Sequence, residues 1–240
     1  MGTFPHDISM PPFLYVALAL FVIWAIILFL SKRTRHEQLV MSVIGLVLAP
    51  GALMLASVDY RSVGVAAGGT VGIEDLLFAF SLFGIASVIY QFVFGKHIKR
   101  FRGERLFLSH PPTHWLAHLI IALGIWACIS LTLNIVLALS TIQAIIVGGL
   151  MVGTYVIADR KDLMFDALLS GLFVSVLVFT CEQLFFVRMF PDIASGYWQT
   201  AQLSGLALGG IPVEEILWAG VVGFTIGPLY EYMREMRVTK

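Results

Sequence analysis

Two pairs of adjacent carboxylates interrupt long apolar stretches of this chain. From Ser62 to Gly95 the only charged residues are Glu74 and Asp75, and from Ile193 to Tyr230 the only ones are Glu214 and Glu215. Glu182 adds a fifth carboxylate inside another apolar run. Charge is expensive in such surroundings and usually serves a function. Clustered buried carboxylates share protons unevenly, so one can donate while a neighbour accepts. The same oxygens suit a hard divalent cation, although no metal ligand set is assigned here. With no phosphate-binding loop beside them, the acids suit proton transfer on an apolar molecule.

Aromatic residues flank these acids: Phe78, Trp218, Trp198, Tyr90 and Tyr230. Their faces can stabilise a carbocation, or they can form an interfacial belt. A plainer reading also exists for the acids. Pro212 followed by Glu is an ordinary helix start, where the macrodipole favours an anion. The doubled acid, and the apolar Gly-rich stretch from Leu203 to Ile211 before it, favour the functional reading.

The elements that position these residues are membrane helices. The 240 residues are 59% hydrophobic and 12% charged, half the charge of a soluble domain, which carries about 25%. Mean hydropathy is +0.91. Fifteen basic and fifteen acidic residues cancel, which leaves no field to attract nucleic acid. Cys128 and Cys181 both lie in apolar runs, which excludes a disulfide scaffold or a thiolate zinc cluster.

A spanning helix needs about 20 apolar residues. Seven stretches qualify, near 13–30, 38–57, 73–94, 114–132, 137–158, 163–189 and 212–232, with the fourth turn placed at Thr132–Asn134. The first is not read as a cleavable signal, because its basic residues follow it. Positive charge collects on the cytoplasmic side. Seven spans put thirteen Lys and Arg on one side and leave two, Arg61 and Arg188, on the other. The predicted topology is an inner-membrane protein with its N-terminus outside and its C-terminus in the cytoplasm. The five acids then lie toward the outer side.

Residues 69–78 (GTVGIEDLLF) and 209–218 (GGIPVEEILW) resemble each other at an offset of 140 positions, and Tyr90 meets Tyr230 at the same offset. They begin the third and seventh spans and so run in the same direction. The expectation is an all-α fold with two parallel three-helix repeats, about 13–95 and 137–232. A linking helix at about 114–132 joins them. Parallel repeats place a shared site at their interface.

The run Gly196-Tyr197-Trp198, followed by LSGLALGGIPVEEILW, resembles the Pro-x-Glu-Glu signature of the small integral-membrane lycopene cyclases. The resemblance is strongest over 192–232 and fair over 68–95. It implies a redox-neutral cyclisation that needs no cofactor. A carboxylic acid protonates the terminal double bond of a linear carotenoid, the cation closes a ring, and a base removes a proton. By motif, Glu214 and Glu215 match the family's Glu pair, and Glu74 and Asp75 match the first copy. Glu214 or Glu215 is the expected acid, with Glu74 and Asp75 as base or stabiliser and Glu182 in support. The first copy departs at Gly72 for Pro212 and at Asp75 for Glu215. Trp218 stands where family members often have Phe. The implied partners are an apolar isoprenoid or carotenoid substrate and the membrane lipids.

Other constellations compete. Asp159, Asp162 and Asp166 have a spacing that magnesium-dependent prenyltransferases use to hold a diphosphate, but Arg160 and Lys161 between them read as a solvated basic loop. His114 and His118 are spaced for one helix face yet enter from the cytoplasmic side. The basic run from Lys96 to Leu108 suits anionic headgroups. All five lysines fall in loops or at the terminus, which excludes a retinal Schiff base. A carotenoid-binding or proton-coupled transport protein remains as a non-enzymatic alternative.

Overall fold

The computed structural model describes residues 11–60, 72–95, 97–100, 111–199, 203–234 and 236–239. Nine α-helices account for most of these. The long ones are α1 (Phe13–Leu30), α2 (Arg35–Asp59), α3 (Ile73–Phe94), α4 (Pro111–Leu137), α5 (Thr141–Asp159) and α6 (Met164–Glu182). Then come the short α7 (Pro191–Tyr197), α8 (Val213–Ile226) and α9 (Leu229–Met233). Two small antiparallel ribbons are also present among the described residues. One pairs β1 (His97–Arg100) with β4 (Met236–Thr239), and the other pairs β2 (Ala207–Leu208) with β3 (Ile211–Pro212).

Among the described residues, six helical segments are long and apolar enough to cross a membrane: Phe13–Leu30, Arg35–Leu55, Ile73–Phe94, Ala117–Leu137, Thr141–Asp159 and Lys161–Val187. The predicted seventh span is broken. Its helix α8 ends at Ile226 and α9 begins at Leu229, because Pro228 has no amide to donate and its ring blocks the preceding turn. The 14 residues of α8 are about 21 Å long, short of the ~30 Å hydrocarbon layer. The result is an all-α polytopic membrane protein: among the described residues six helices are long enough to cross without interruption, and α8 with α9 forms an interrupted seventh segment.

The fourth turn also lies later than Thr132–Asn134. Nothing at 132–134 breaks the helix, so α4 continues to Leu137. The chain turns at Ala138, which takes a left-handed φ of 52°. The Asn134 amide donates to the Leu139 carbonyl at 2.8 Å, and the Gln143 side chain accepts the Ser140 amide at 3.4 Å. These bonds satisfy backbone groups that the turn leaves open.

Packing joins α3 to α1 and α2, and α8 to α5 and α6. Small residues allow the close crossings. A Cβ on Gly84 would collide with Ser42 Oγ, and one on Gly223 would meet the Ser170 carbonyl at 2.5 Å. Polar side chains then bridge the helices. Trp24 donates to Ser42 at 2.8 Å, Ser175 to the Ile216 carbonyl at 2.9 Å, and Thr225 to the Gly149 carbonyl at 2.9 Å. In an apolar solvent such hydrogen bonds and close contacts hold helices together where the hydrophobic effect does not.

Candidate active site

Asp75 occupies the first turn of α3 and is 6% exposed. Its Oδ2 accepts the Gly72 amide at 3.2 Å, so it caps its own helix as the plainer reading expects. The same side chain lines a cavity of about 100 Å³. The cavity wall is otherwise almost wholly apolar. Gly45, Ala49 and Ala52 come from α2, Phe78, Ala79 and Phe83 from α3, and Thr141, Ile142 and Ile145 from α5, with Tyr60 and Trp218 closing the wall. Asp75 is the only carboxylate among its described lining residues. Small side chains at 45, 49 and 52 leave the space, and the exposed Ala52 carries the lining toward the outside.

Phe78 and Trp218 form one wall. Each lies one turn after an acid, Asp75 or Glu215, and therefore on the same helix face. Their rings stack with centroids 6.3 Å apart and planes 18° apart. This contact brings the beginnings of α3 and α8 to one end of the bundle. Phe78 continues into a buried aromatic cluster through Phe13 at 5.3 Å, Tyr197 stacked on Phe13 at 5.4 Å, and Phe186 at 4.8 Å from Tyr197. Trp198 packs edge-on to Phe186 at 5.7 Å.

The other acids are placed differently. Glu214 is 4% exposed, and its Oε1 accepts the Ser204 amide at 2.6 Å, tying the segment before β2 to α8. Glu215 and Glu182 are fully buried. Glu182 ends α6 where the helix widens into a π turn over Gln183–Val187, a feature that often marks functional sites. Glu74 is only half-buried. None of these four lines the cavity.

The proposed aromatic set divides too. Phe78 and Trp218 line the cavity, whereas Trp198 is buried in the aromatic cluster beside it. Tyr90 and Tyr230 are at the far end. Tyr90 lies fifteen residues after Asp75 on one helix, a distance of about 22 Å. The Tyr230 hydroxyl instead meets His36 Nδ1 at 3.1 Å and the Arg234 guanidinium at 3.2 and 3.3 Å. Spacing from the acids along the helix excludes both from the cavity.

That far end carries a second polar cluster, which the reading of the acidic motifs missed. Gln91 Nε2 donates to both carboxylate oxygens of Glu37, at 3.3 and 3.4 Å, and to Glu231 Oε1. Asp166 is 1% exposed and accepts the Ser170 hydroxyl at 3.0 Å. It is a buried residue, not part of a solvated loop. Its predicted companions diverge from it. Asp162 pairs with Arg160 at 2.8 Å, holding the guanidinium above its ordinary pKa, and Asp159 bonds Tyr232. Among the described residues no His, Cys, Asp or Glu group converges to hold a metal ion. The side chain of His114 lies outside the described residues, and His118 is exposed.

Fold and site together define a polytopic membrane protein with an acid-lined apolar cavity between its helices. Residues 128–233, from α4 through α9, match the model of the lycopene cyclase family. The chain resembles that family, and the match supports a carotenoid-cyclase-like function. No curated protein and no solved structure matches the chain.

Proposed function

We propose that this protein closes the end group of a linear carotenoid into a ring by acid–base chemistry, without net oxidation. The observation that carries this reading is Asp75, a carboxyl group set in an apolar cavity against the Phe78–Trp218 stack. In its acid form Asp75 delivers a proton to the terminal double bond. The aromatic faces stabilise the resulting cation, and the apolar wall keeps water from capturing it. Glu215 lies one turn before Trp218 on the same helix face and, with Glu182, supports the wall from buried positions outside the cavity. Glu214 holds the loop before β2, and Glu74 stands outside the reacting volume. This gives Asp75 the proton-donor role that the motif resemblance assigns to the Glu pair.

The arrangement also fits two parallel units of three spans joined by α4, the first α1–α3 and the second α5, α6 and the α8–α9 segment. The site lies where α3 and α8 meet. With the charge bias of the loops, it supports a site toward the non-cytoplasmic face of the inner membrane, with the C-terminus in the cytoplasm.

The test is expression in a lycopene-accumulating host, with pigments separated chromatographically. Asp75→Asn and Glu215→Gln run beside wild type at matched membrane levels. Wild type is expected to form ring-bearing product. Asp75→Asn should lose it by about 10²–10⁴-fold, the usual contribution of a general acid. Unchanged lycopene with folded wild type would overturn the reading. Lycopene copurifying unconverted would favour the carotenoid-binding alternative.

A further inference from the structure

Ring closure moves two protons at different carbons. One is added at the terminal double bond, and another leaves from the ring that forms. A single rigid carboxyl group serves one of these positions well. Among the described residues that line the cavity, Asp75 and Tyr60 are the two of a side-chain type that serves in general acid–base catalysis. The remaining polar groups, the Thr141 hydroxyl and the Trp218 indole, do not exchange protons readily.

Tyr60 is built into the wall. It follows the last residue of α2, is 2% exposed, and comes from a different element than Asp75. Its carbonyl accepts the Gln199 amide at 2.9 Å, and the neighbouring Asp59 carboxylate accepts the Thr141 amide at 2.7 Å. These bonds fix the end of α2 against the start of α5 and the segment after α7. The Tyr60 backbone is therefore anchored, and its buried side chain lines the cavity.

We propose that Tyr60 is the second proton-transfer group of the cyclisation, an inference that rests on the cyclase reading above. Asp75 gives its proton to the terminal double bond and becomes a carboxylate. The neighbouring double bond attacks the cation, forming the ring-closing carbon–carbon bond and moving the positive charge onto the ring. With its hydroxyl turned to the Asp75 carboxylate across the cavity, the Tyr60 oxygen takes the adjacent ring proton as its own hydroxyl proton passes to that carboxylate. The electrons of the broken C–H bond become the ring double bond. Both side chains end as they began, with no oxidant or other co-reactant. Tyr60 thereby sets which proton leaves, and so where the ring double bond lies.

The test is Tyr60→Phe in the same lycopene-accumulating host, reading both yield and the distribution of ring double-bond isomers. The expected result is a yield at least about tenfold lower, an ordinary loss for one proton-transfer group, with the remaining product spread over isomers that wild type does not make. A purely structural role would lower yield without redistributing isomers. Wild-type yield and a single wild-type isomer in Tyr60→Phe would overturn the proposal and leave Asp75 performing both transfers. Should Tyr60→Phe fail to reach the membrane, 3-fluorotyrosine at position 60 keeps the shape and makes the phenol more acidic. A changed rate or isomer ratio then supports the relay, and an unchanged one overturns it. Acyclic pigment from wild type itself would overturn the cyclase reading, which separates the two failures.

Discussion

Phe78 and Trp218 are 140 positions apart and stack with their ring centroids 6.3 Å apart. Gln91 and Glu231 are separated by the same 140 positions and share a buried hydrogen bond at the other end of the bundle. Two contacts at one offset, one at each end, mean that α3 and the α8–α9 segment run side by side in the same direction. The first contact forms the cavity wall, and the second ties the bundle together away from it. The consequences of the two can be separated by substitution.

At the wall, Trp218→Phe keeps an aromatic face against Phe78, while Trp218→Leu removes it. A cation over a desolvated aromatic face gains about 2 kcal/mol, which corresponds to about thirtyfold in rate. Trp218→Leu is therefore expected to form ring product about thirtyfold more slowly, and Trp218→Phe to stay near wild type. Conversion of lycopene at matched protein levels measures this. Equal activity of the two variants would show that the ring is wall and nothing more.

Glu214 should separate from Asp75 in its effect. Its oxygen accepts the Ser204 amide, a task that a glutamine carbonyl also performs. Glu214→Gln is expected to retain ring formation close to wild type. Glu214→Ala leaves that amide without its acceptor, at a cost of about 1–3 kcal/mol, and should expose the 203–210 segment to protease. Limited proteolysis in detergent reads the second effect. Loss of activity in Glu214→Gln without any proteolytic change would return the acid's role to the Pro-x-Glu-Glu motif.

How far the sequence speaks to this site depends on the residue. Paired acids at two helix starts stand out because charge is rare in apolar runs, and their common end of the bundle follows from the common direction of the two segments. Which acid reaches the cavity is decided by helix rotation and by the loop that Ser204 pins over Glu214, neither of which has a spacing signature. The exclusion of Tyr90 and Tyr230 was available from arithmetic, since fifteen residues of helix separate each from the nearer acid of its motif. Phe13, Tyr60 and Tyr197 join the site from distant elements with no periodic signal. The Glu37–Gln91–Glu231 cluster had a partial one, because Gln91 aligns with Glu231 at the repeat offset. Glu37 beside a basic loop resembled an ordinary interfacial charge. The break in the last span was marked by Gly227-Pro228, while the fourth turn had no breaker to mark it.

The far-end cluster predicts an asymmetry. Gln91 is the shared donor for Glu37 and Glu231. Gln91→Leu leaves two buried carboxylates without it, and each unsatisfied group costs about 1–3 kcal/mol. Glu231→Gln replaces a buried carboxyl with a neutral group that keeps hydrogen-bonding capacity, so it is expected to leave stability unchanged or raise it. Thermal unfolding of purified protein in detergent compares them. A lower midpoint for both would mean that the carboxylate of Glu231 itself is required, as in an ion pair.

The crossing of α6 and α8 offers a test of the packing that supports the site. A Cβ on Gly223 would lie 2.5 Å from the Ser170 carbonyl and 2.9 Å from Gly171 Cα, both backbone atoms that cannot rotate away. Gly223→Ala must therefore push the two helices apart, and overpacking of this kind costs about 1–3 kcal/mol. Gly124 on α4 has nothing within 4 Å of its would-be Cβ, so Gly124→Ala gains helix propensity of up to about 1 kcal/mol without strain. The two substitutions are chemically identical and differ only in their surroundings. The unfolding midpoint should fall for Gly223→Ala and hold or rise for Gly124→Ala. Because α8 carries both Glu215 and Trp218, ring formation should fall with the first and not with the second. Activity preserved in a destabilised Gly223→Ala would mean that the cavity tolerates a shift of α8, and that Asp75 and its own helix carry the chemistry without the Phe78–Trp218 wall.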